Sequence, residues 1–278
     1  MSSNVLALLR PSRSVEPEMS TIAAIDRLVA IMARLRDPVD GCEWDRVQTF
    51  ASIAQYTIEE AYEVADAIAR NDLVELCDEL GDLLLQVVFH ARIAEEAGQF
   101  TLEDVAQAIV GKLEARHPHI FGPDCASGAP REGWEAIKAK ERVAKGATSA
   151  MDGVAKALPA LLRAEKLQRR AAREGFDWPD RAGPAAKLVE ELEELATAGD
   201  ALAQIDEAGD LLFAAVNVVR SHGVAPEDAL RAANEKFARR YRAMEMLAQT
   251  DGRPFADLSL EAQEALWQRV KLGEKGRL

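Results

Sequence analysis

One device occurs twice in this chain, and the repetition limits the fold more than any other feature. In the second half, Lys187 to Asp210 reads KLVEELEELATAGDALAQIDEAGD, with Glu191 and Glu194 before the breaker Ala198-Gly199-Asp200 and Glu207 and Asp210 after it. In the first half, Glu60 and Glu63 precede Arg70-Asn71-Asp72, and Glu79 and Asp82 follow it. Residues three apart share one face of a helix, so each pair aims both carboxylates in one direction. A short connection makes antiparallel neighbours, and Gly199 is expected to end the first helix of its hairpin. At about 1.5 Å rise per residue, the pairs before and after each turn come to roughly the same height. Four carboxylates then meet on one inner surface. Left bare they repel and titrate upward, so the pattern predicts a cation, and all-oxygen ligation suits Mg2+, with Mn2+ as a substitute. A single acidic pair on a helix is ordinarily a solvated face; pairing across two matched turns argues against that reading.

The matches between halves extend beyond the acids. Both copies continue Gly-Asp-Leu-Leu, at Gly81 and at Gly209; Gly41-x-x-Trp44 resembles Gly175-x-x-Trp178; Lys112-x-x-x-Arg116 resembles Lys236-x-x-x-Arg240; Trp134-x-x-Ile137-Lys138 resembles Trp267-x-x-Val270-Lys271. Duplication is the economical account. The expected architecture is all-α: two repeated, four-helix-bundle-like domains, at 21–145 and 154–278, joined by a small-residue linker at 146–153 and preceded by a mobile leader over 1–20.

Within each copy the helical stripes are clear. Ile22, Ile25, Leu28, Val29, Met32 and Leu35 run until Asp37-Pro38. Helices are predicted from Thr49 to Ala69 and from Leu73 to Ala97, the second with Leu76, Leu80, Leu83, Leu84, Val87 and Val88 as a wide core face. A third spans Leu102 to Arg116 after the N-cap Thr101 and stops at His117-Pro118-His119, whose histidines are read as loop-forming rather than as ligands. Phe121 to Arg131 is a loop by composition, and a charged helix follows from Trp134 to near Gly146. Cys42 lacks a second ligand at metal spacing and is expected to be a buried structural residue.

The formal net charge of −13 argues against a nucleic-acid or anionic-membrane binder, since phosphate backbones need clustered cations. No apolar run approaches a membrane span and the N-terminus lacks a signal-peptide pattern. Three scattered cysteines fit a reducing cytoplasm.

These residues carry a resemblance. Glu190-Glu191-x-x-Glu194 with Glu207-x-x-Asp210, Glu59-Glu60-x-x-Glu63 with Glu79-x-x-Asp82, Trp44-Asp45 with Gln48-Thr49-Phe50, His117-Pro118-His119, Gly175-Phe176-Asp177-Trp178 and Asn234-x-Lys236-Phe237-x-x-Arg240 are similar to the tandem-domain MazG family of nucleoside triphosphate pyrophosphohydrolases. The match covers nearly everything from Ile22 to Lys271. It implies Mg2+-dependent cleavage of a nucleoside triphosphate between the α and β phosphates, on a helical fold that commonly forms homodimers. By the same resemblance, Glu191, Glu194, Glu207 and Asp210 hold metal, and Lys187, Lys236, Arg240 and Trp267 contact nucleotide. The chemistry agrees with these roles. Metal ions neutralise a transferring phosphoryl group and acidify water, and Glu190 or Glu191 is the candidate for taking the proton. Lys236, Arg239 and Arg240 are suited to gripping pyrophosphate, and Trp267 to offering the base a flat face.

Lys187 lies one helical turn before Glu191, whereas the first copy has Tyr56 at that place. The second half is therefore expected to do most of the catalysis. Two other readings are open at this stage: a non-catalytic regulatory or interaction protein, and a pyrophosphohydrolase selective for one non-standard or phosphoribosyl nucleotide.

Overall fold

Capping chemistry sets the two hairpins. The computed structural model describes residues 17–122, 134–144 and 146–275 and is helical throughout, with no strand among the described residues. Contacts divide the chain into two compact units, Met1–Arg131 and Glu132–Leu278. The linker expected at 146–153 falls within the second unit.

The first unit contains α1 (Pro17–Leu35), the short α2 (Glu43–Arg46), α3 (Phe50–Arg70), α4 (Leu73–Glu96), α5 (Leu102–Arg116) and the single turn α6 (Pro118–Phe121). Helix α3 starts at a capping box: Thr49 accepts from the Ser52 amide, and the Ser52 hydroxyl accepts from the Thr49 amide. It ends at Asn71, in the left-handed region at φ 56°, which Asn tolerates better than most residues. The next residue, Asp72, accepts from the amides of Val74 and Glu75 and so starts α4; a cap of this kind is worth about 1 kcal/mol. Helices α3 and α4 pack along each other and α1 lies against α4. Their core is Met32, Ile53, Val88, Phe89 and Ile93, with Tyr56 and Leu85 packed on it. Burying each of these large side chains contributes roughly 1.5–3 kcal/mol.

The second unit contains α7 (Trp134–Ala144), α8 (Ala160–Arg173), α9 (Ala182–Thr197), α10 (Ala201–Ser221), α11 (Pro226–Thr250) and α12 (Leu260–Lys275), with a 3-10 turn at Phe255–Asp257. Helices α9 and α10 form the hairpin and α8 packs on α10. Met244, Ala248, Leu258 and Leu266 join α11 to α12.

Several expectations need correcting. Helix α9 does end just before Gly199, but without a left-handed glycine: Ala198 leaves the helix at φ −57°, ψ 125°, and the Asp200 carboxylate accepts from the Leu202 and Ala203 amides. Cys42 is exposed, because Trp44, two residues on, is the residue of this loop that turns toward Tyr56 and Phe89. Leu80, Leu84 and Val87 are exposed although their stripe reads as core; α1 packs on the α4 face that carries Val88 and Phe89, which leaves a second apolar stripe uncovered within the unit. His117 to Phe121 is a helical turn rather than an open loop, with His117 Nδ1 2.7 Å from the Leu113 carbonyl oxygen. Helix α1 begins at Pro17. The rest of the expected leader, most of the 121–131 loop and Cys125 lie outside the described residues.

Candidate active site

In the second unit, α9 and α10 bring Glu191, Glu207 and Asp210 together so that one carboxylate oxygen from each lies within 4.8 Å of the others. Glu191 is only 4% exposed. Lys187, a turn earlier on α9, places Nζ 2.6 Å from Glu191 Oε1 and 2.7 Å from Glu190 Oε1. Hydrogen bonds to Glu190 and then Glu191 hold this ammonium above its ordinary pKa. The other Glu191 oxygen, Oε2, is buried and accepts no hydrogen bond from the protein. Leaving a buried anionic acceptor unsatisfied is costly, and a hard divalent cation relieves that cost; an all-oxygen donor set is the one such ions take. The residues present therefore fit a dication. Glu194 stands beside the triad. Partial desolvation and then the Glu191 charge push its carboxyl up, against the opposing pull of Lys187. Glu190 is exposed and outside the triad.

The first unit repeats the arrangement with Glu60, Glu79 and Asp82, again within 4.8 Å. Glu60 is raised by desolvation and then by Asp82 and Glu63, and Glu79 by desolvation and then by Glu63. Desolvation leads in both, and the mutual repulsion that the sequence pattern predicts adds to it.

A cavity of about 800 Å³ opens beside the second cluster, with Lys187, Glu191 and Asp210 on its wall. Its lining is mostly apolar and includes Met151, Leu167, Phe176, Trp178 and Phe213, together with Gln168, Asn217 and Arg220. Arg220 fixes one side: its Nη2 donates to Asp177 Oδ1 at 2.6 Å and to Asn217 Oδ1 at 2.6 Å, and its Nη1 to Asp177 Oδ2 at 3.1 Å. The same guanidinium holds the Asp177 carboxyl below its usual range. Gly183 sits directly under Trp178: a Cβ there would lie 2.3 Å from the indole.

Two family models match. Residues 48–121 fit the MazG nucleotide pyrophosphohydrolase domain and residues 163–237 fit phosphoribosyl-ATP pyrophosphohydrolase. The chain is 48% identical over 257 residues to the nucleoside triphosphate pyrophosphohydrolase of Escherichia coli K12, covering 90% of this chain and 98% of that one. The chain belongs to the MazG family. It is also 44% identical to the Thermotoga maritima protein named nucleoside triphosphate pyrophosphohydrolase/pyrophosphatase MazG, over 90% of this chain and 96% of that one. A nucleoside triphosphate pyrophosphohydrolase of Mycobacterium tuberculosis is 34% identical, over 89% and 70% respectively.

In this MazG-family chain the remaining expected nucleotide contacts lie on α11 and α12, and none of them is among the residues lining the cavity. Arg240 donates to Glu274 Oε2 from Nε at 2.9 Å and from Nη2 at 2.7 Å, and Arg239 Nη2 donates to Glu274 Oε1 at 3.3 Å. The Arg240 guanidinium lies 5.4 Å from the Trp267 ring centre, and Phe237 lies 5.7 Å from the same ring. Lys236 is exposed. Sequence reasoning missed Gln168, Asn217 and Arg220, and gave Trp178 no role. The available signal was the repeat itself: at the offset that aligns Asp82 with Asp210, Asn217 stands where the first copy has Phe89.

Proposed function

We propose that the second unit hydrolyses nucleoside triphosphates to the nucleoside monophosphate and pyrophosphate with the help of Mg2+. The observation that carries this reading is the buried, unsatisfied Glu191 oxygen, set among Glu207 and Asp210 beside a cavity roomy enough for a nucleoside. The names of relatives that this chain matches nearly end to end support the reaction class.

Glu191, Glu194, Glu207 and Asp210 would hold the ion, as would Glu60, Glu63, Glu79 and Asp82 in the first unit. A bound dication supplies charge neutralisation for the polyphosphate and lowers the pKa of the attacking water. The chain's own residues do the rest. Water adds to the α-phosphorus, the α–β bridging bond breaks, and pyrophosphate leaves with the electron pair. Of Glu190 and Glu191, Glu190 keeps a carboxylate outside the triad and takes the water's proton. Lys187, already on the carboxylates, meets the incoming phosphate charge. Arg239 and Arg240 receive the polyphosphate in place of the Glu274 carboxylate they now bind, with Lys236 alongside. Trp267, expected from the sequence to face the base, has the Arg240 guanidinium over its ring and instead holds it for that contact. The uncovered stripe with Leu80 and Leu84, and Leu192 and Leu212 in the second hairpin, favour a homodimer.

The test is product identification with one cluster disabled at a time. Glu194→Ala is expected to abolish pyrophosphate release and Glu63→Ala to leave most of it; the reverse result reassigns the active half, and no pyrophosphate from any nucleotide in the intact protein rejects the reaction. The match of residues 163–237 to phosphoribosyl-ATP pyrophosphohydrolase favours a second reading, a phosphoribosyl nucleotide substrate. A panel containing that substrate beside the common triphosphates separates the two.

A further inference from the structure

The cavity beside the second cluster has a polar floor that the reaction itself does not use. Gln168 is 6% exposed. Its Nε2 donates to the Phe213 carbonyl oxygen at 2.8 Å, which fixes the amide's orientation because that oxygen can only accept. The other end, Oε1, is buried, belongs to a residue lining the cavity and has no hydrogen-bond partner. Asn217 is fixed in the opposite sense: its Oδ1 takes a hydrogen bond from Arg220, so its NH2 group is left as a donor. The cavity is thus furnished with one acceptor and one donor among aromatic and aliphatic side chains.

The first unit is a built-in comparison. Where the second copy has Asn217 it has Phe89, and where the second has Lys187 it has Tyr56. Phe89 and Tyr56 both pack against Trp44, at 6.4 and 6.1 Å between ring centres, and Phe89 belongs to the buried core with Met32 of α1. There the two positions carry aromatic rings packed on Trp44. In the second unit the same two positions are polar and line the cavity.

We infer that this cavity seats the nucleobase, against Trp178 and Phe176, with Gln168 Oε1 and the Asn217 amide reading its pairing edge. The inference rests on the proposed triphosphate reaction and extends it to the base. Every common base presents an N–H donor beside an acceptor on that edge: N6 and N1 of adenine, N4 and N3 of cytosine, N1 and O6 of guanine, N3 and O4 of uracil. The donor is exocyclic in adenine and cytosine and in the ring in guanine and uracil, so one acceptor and one donor meet all four only in two orientations of the base; the pocket tolerates the base identity on that condition and requires an N–H. Arg220 is a positioning residue, which holds Asn217 and is itself held by Asp177.

The test compares ATP with purine riboside triphosphate, which lacks the exocyclic amine, by pyrophosphate release from the full-length protein. Wild type is expected to favour ATP in kcat/KM by about tenfold, the order of a hydrogen bond lost at a buried acceptor. Gln168→Met is expected to bring the two substrates within about twofold of each other. Equal use of both by wild type, or undiminished preference in a folded Gln168→Met protein, overturns the inference. Asn217→Phe, which restores the first unit's residue, provides a second measurement: KM for ATP should rise at least tenfold while Mg2+ still raises the melting temperature. An unchanged KM in that variant also overturns it. Failure of the reaction proposal would look different, since neither nucleotide would then yield pyrophosphate from wild type.

Discussion

Gly183→Ala sets two effects against each other, and their balance tests where Trp178 sits. Gly183 is the second residue of α9, and Ala in a helix is favoured over Gly by roughly 0.5–1 kcal/mol. The new methyl, however, would lie 2.3 Å from Trp178 Cε3 and 2.5 Å from Cδ2, distances that force the ring to move. Overpacking costs about 1–3 kcal/mol where nothing yields. Trp178 is 49% exposed and can swing outward, so the cost falls to the low end and offsets the helical gain. Melting temperature should therefore change little. Affinity should not be spared: an aromatic pair is worth about 0.5–1.5 kcal/mol, so losing the ring's seat raises KM for ATP by about 2- to 13-fold, with kcat affected less. Steady-state pyrophosphate release read together with a thermal melt decides the matter. A variant that melts higher and keeps the wild-type KM would show that Trp178 neither rests on Gly183 nor meets the substrate.

The other expectations follow from the ion pairs and clusters. Mg2+ or Mn2+ should stabilise the chelator-treated protein, by about 2.7 kcal/mol at a hundredfold excess over Kd, and calorimetry should count at least one site per unit; Glu191→Gln should abolish the second unit's share and leave the first's, and loss of both would refute independent sites. Glu96 would be pushed up by burial, but hydrogen bonds from Arg36 and Arg92 outweigh this and lower its pKa, as Arg220 does for Asp177. Depressed carboxylates contribute stability that is present above their unfolded pKa and lost as pH falls through the folded one, so denaturant midpoints should drop on the acid side. Glu60, Glu79 and Glu194 are raised and act in the opposite sense: their contribution is full below the unfolded pKa and is lost as pH rises through the folded value. Midpoints of the metal-free protein should therefore peak below neutrality, and added Mg2+ should restore the losses on the alkaline side; identical pH profiles with and without Mg2+ would contradict this. Glu274→Gln should strengthen inhibition by free pyrophosphate several-fold, because it releases Arg239 and Arg240; unchanged inhibition would remove both from the polyphosphate path.

Three of the four acids expected in each cluster were legible in the sequence: Glu79 with Asp82 and Glu207 with Asp210 lie three apart on one helix, and the turn that brings Glu60 or Glu191 to them is marked by its own breakers, while Glu63 and Glu194 fall outside the triads. Lys187 was legible for the same reason. The cavity was not, since Gln168 on α8, Asn217 on α10 and the Gly175–Trp178 loop meet only through packing, and no spacing along the chain records it. The stripe through Leu80, Leu84 and Val87 misled because periodicity shows that a face is apolar without showing what, if anything, of the same unit lies against it. Arg239, Arg240 and Trp267 are neighbours as their helices suggest, but Glu274, far along the chain, takes up both guanidiniums.

The Lys187 ammonium, seated on Glu190 and Glu191, amounts to a resident placeholder. A nest of acids needs some countercharge to survive in solution poor in metal, and this chain carries its own on a tether one helical turn long. A dication that took Glu191 would free that ammonium for an incoming phosphate, so that on the proposed reaction loading the site and arming it would be a single event.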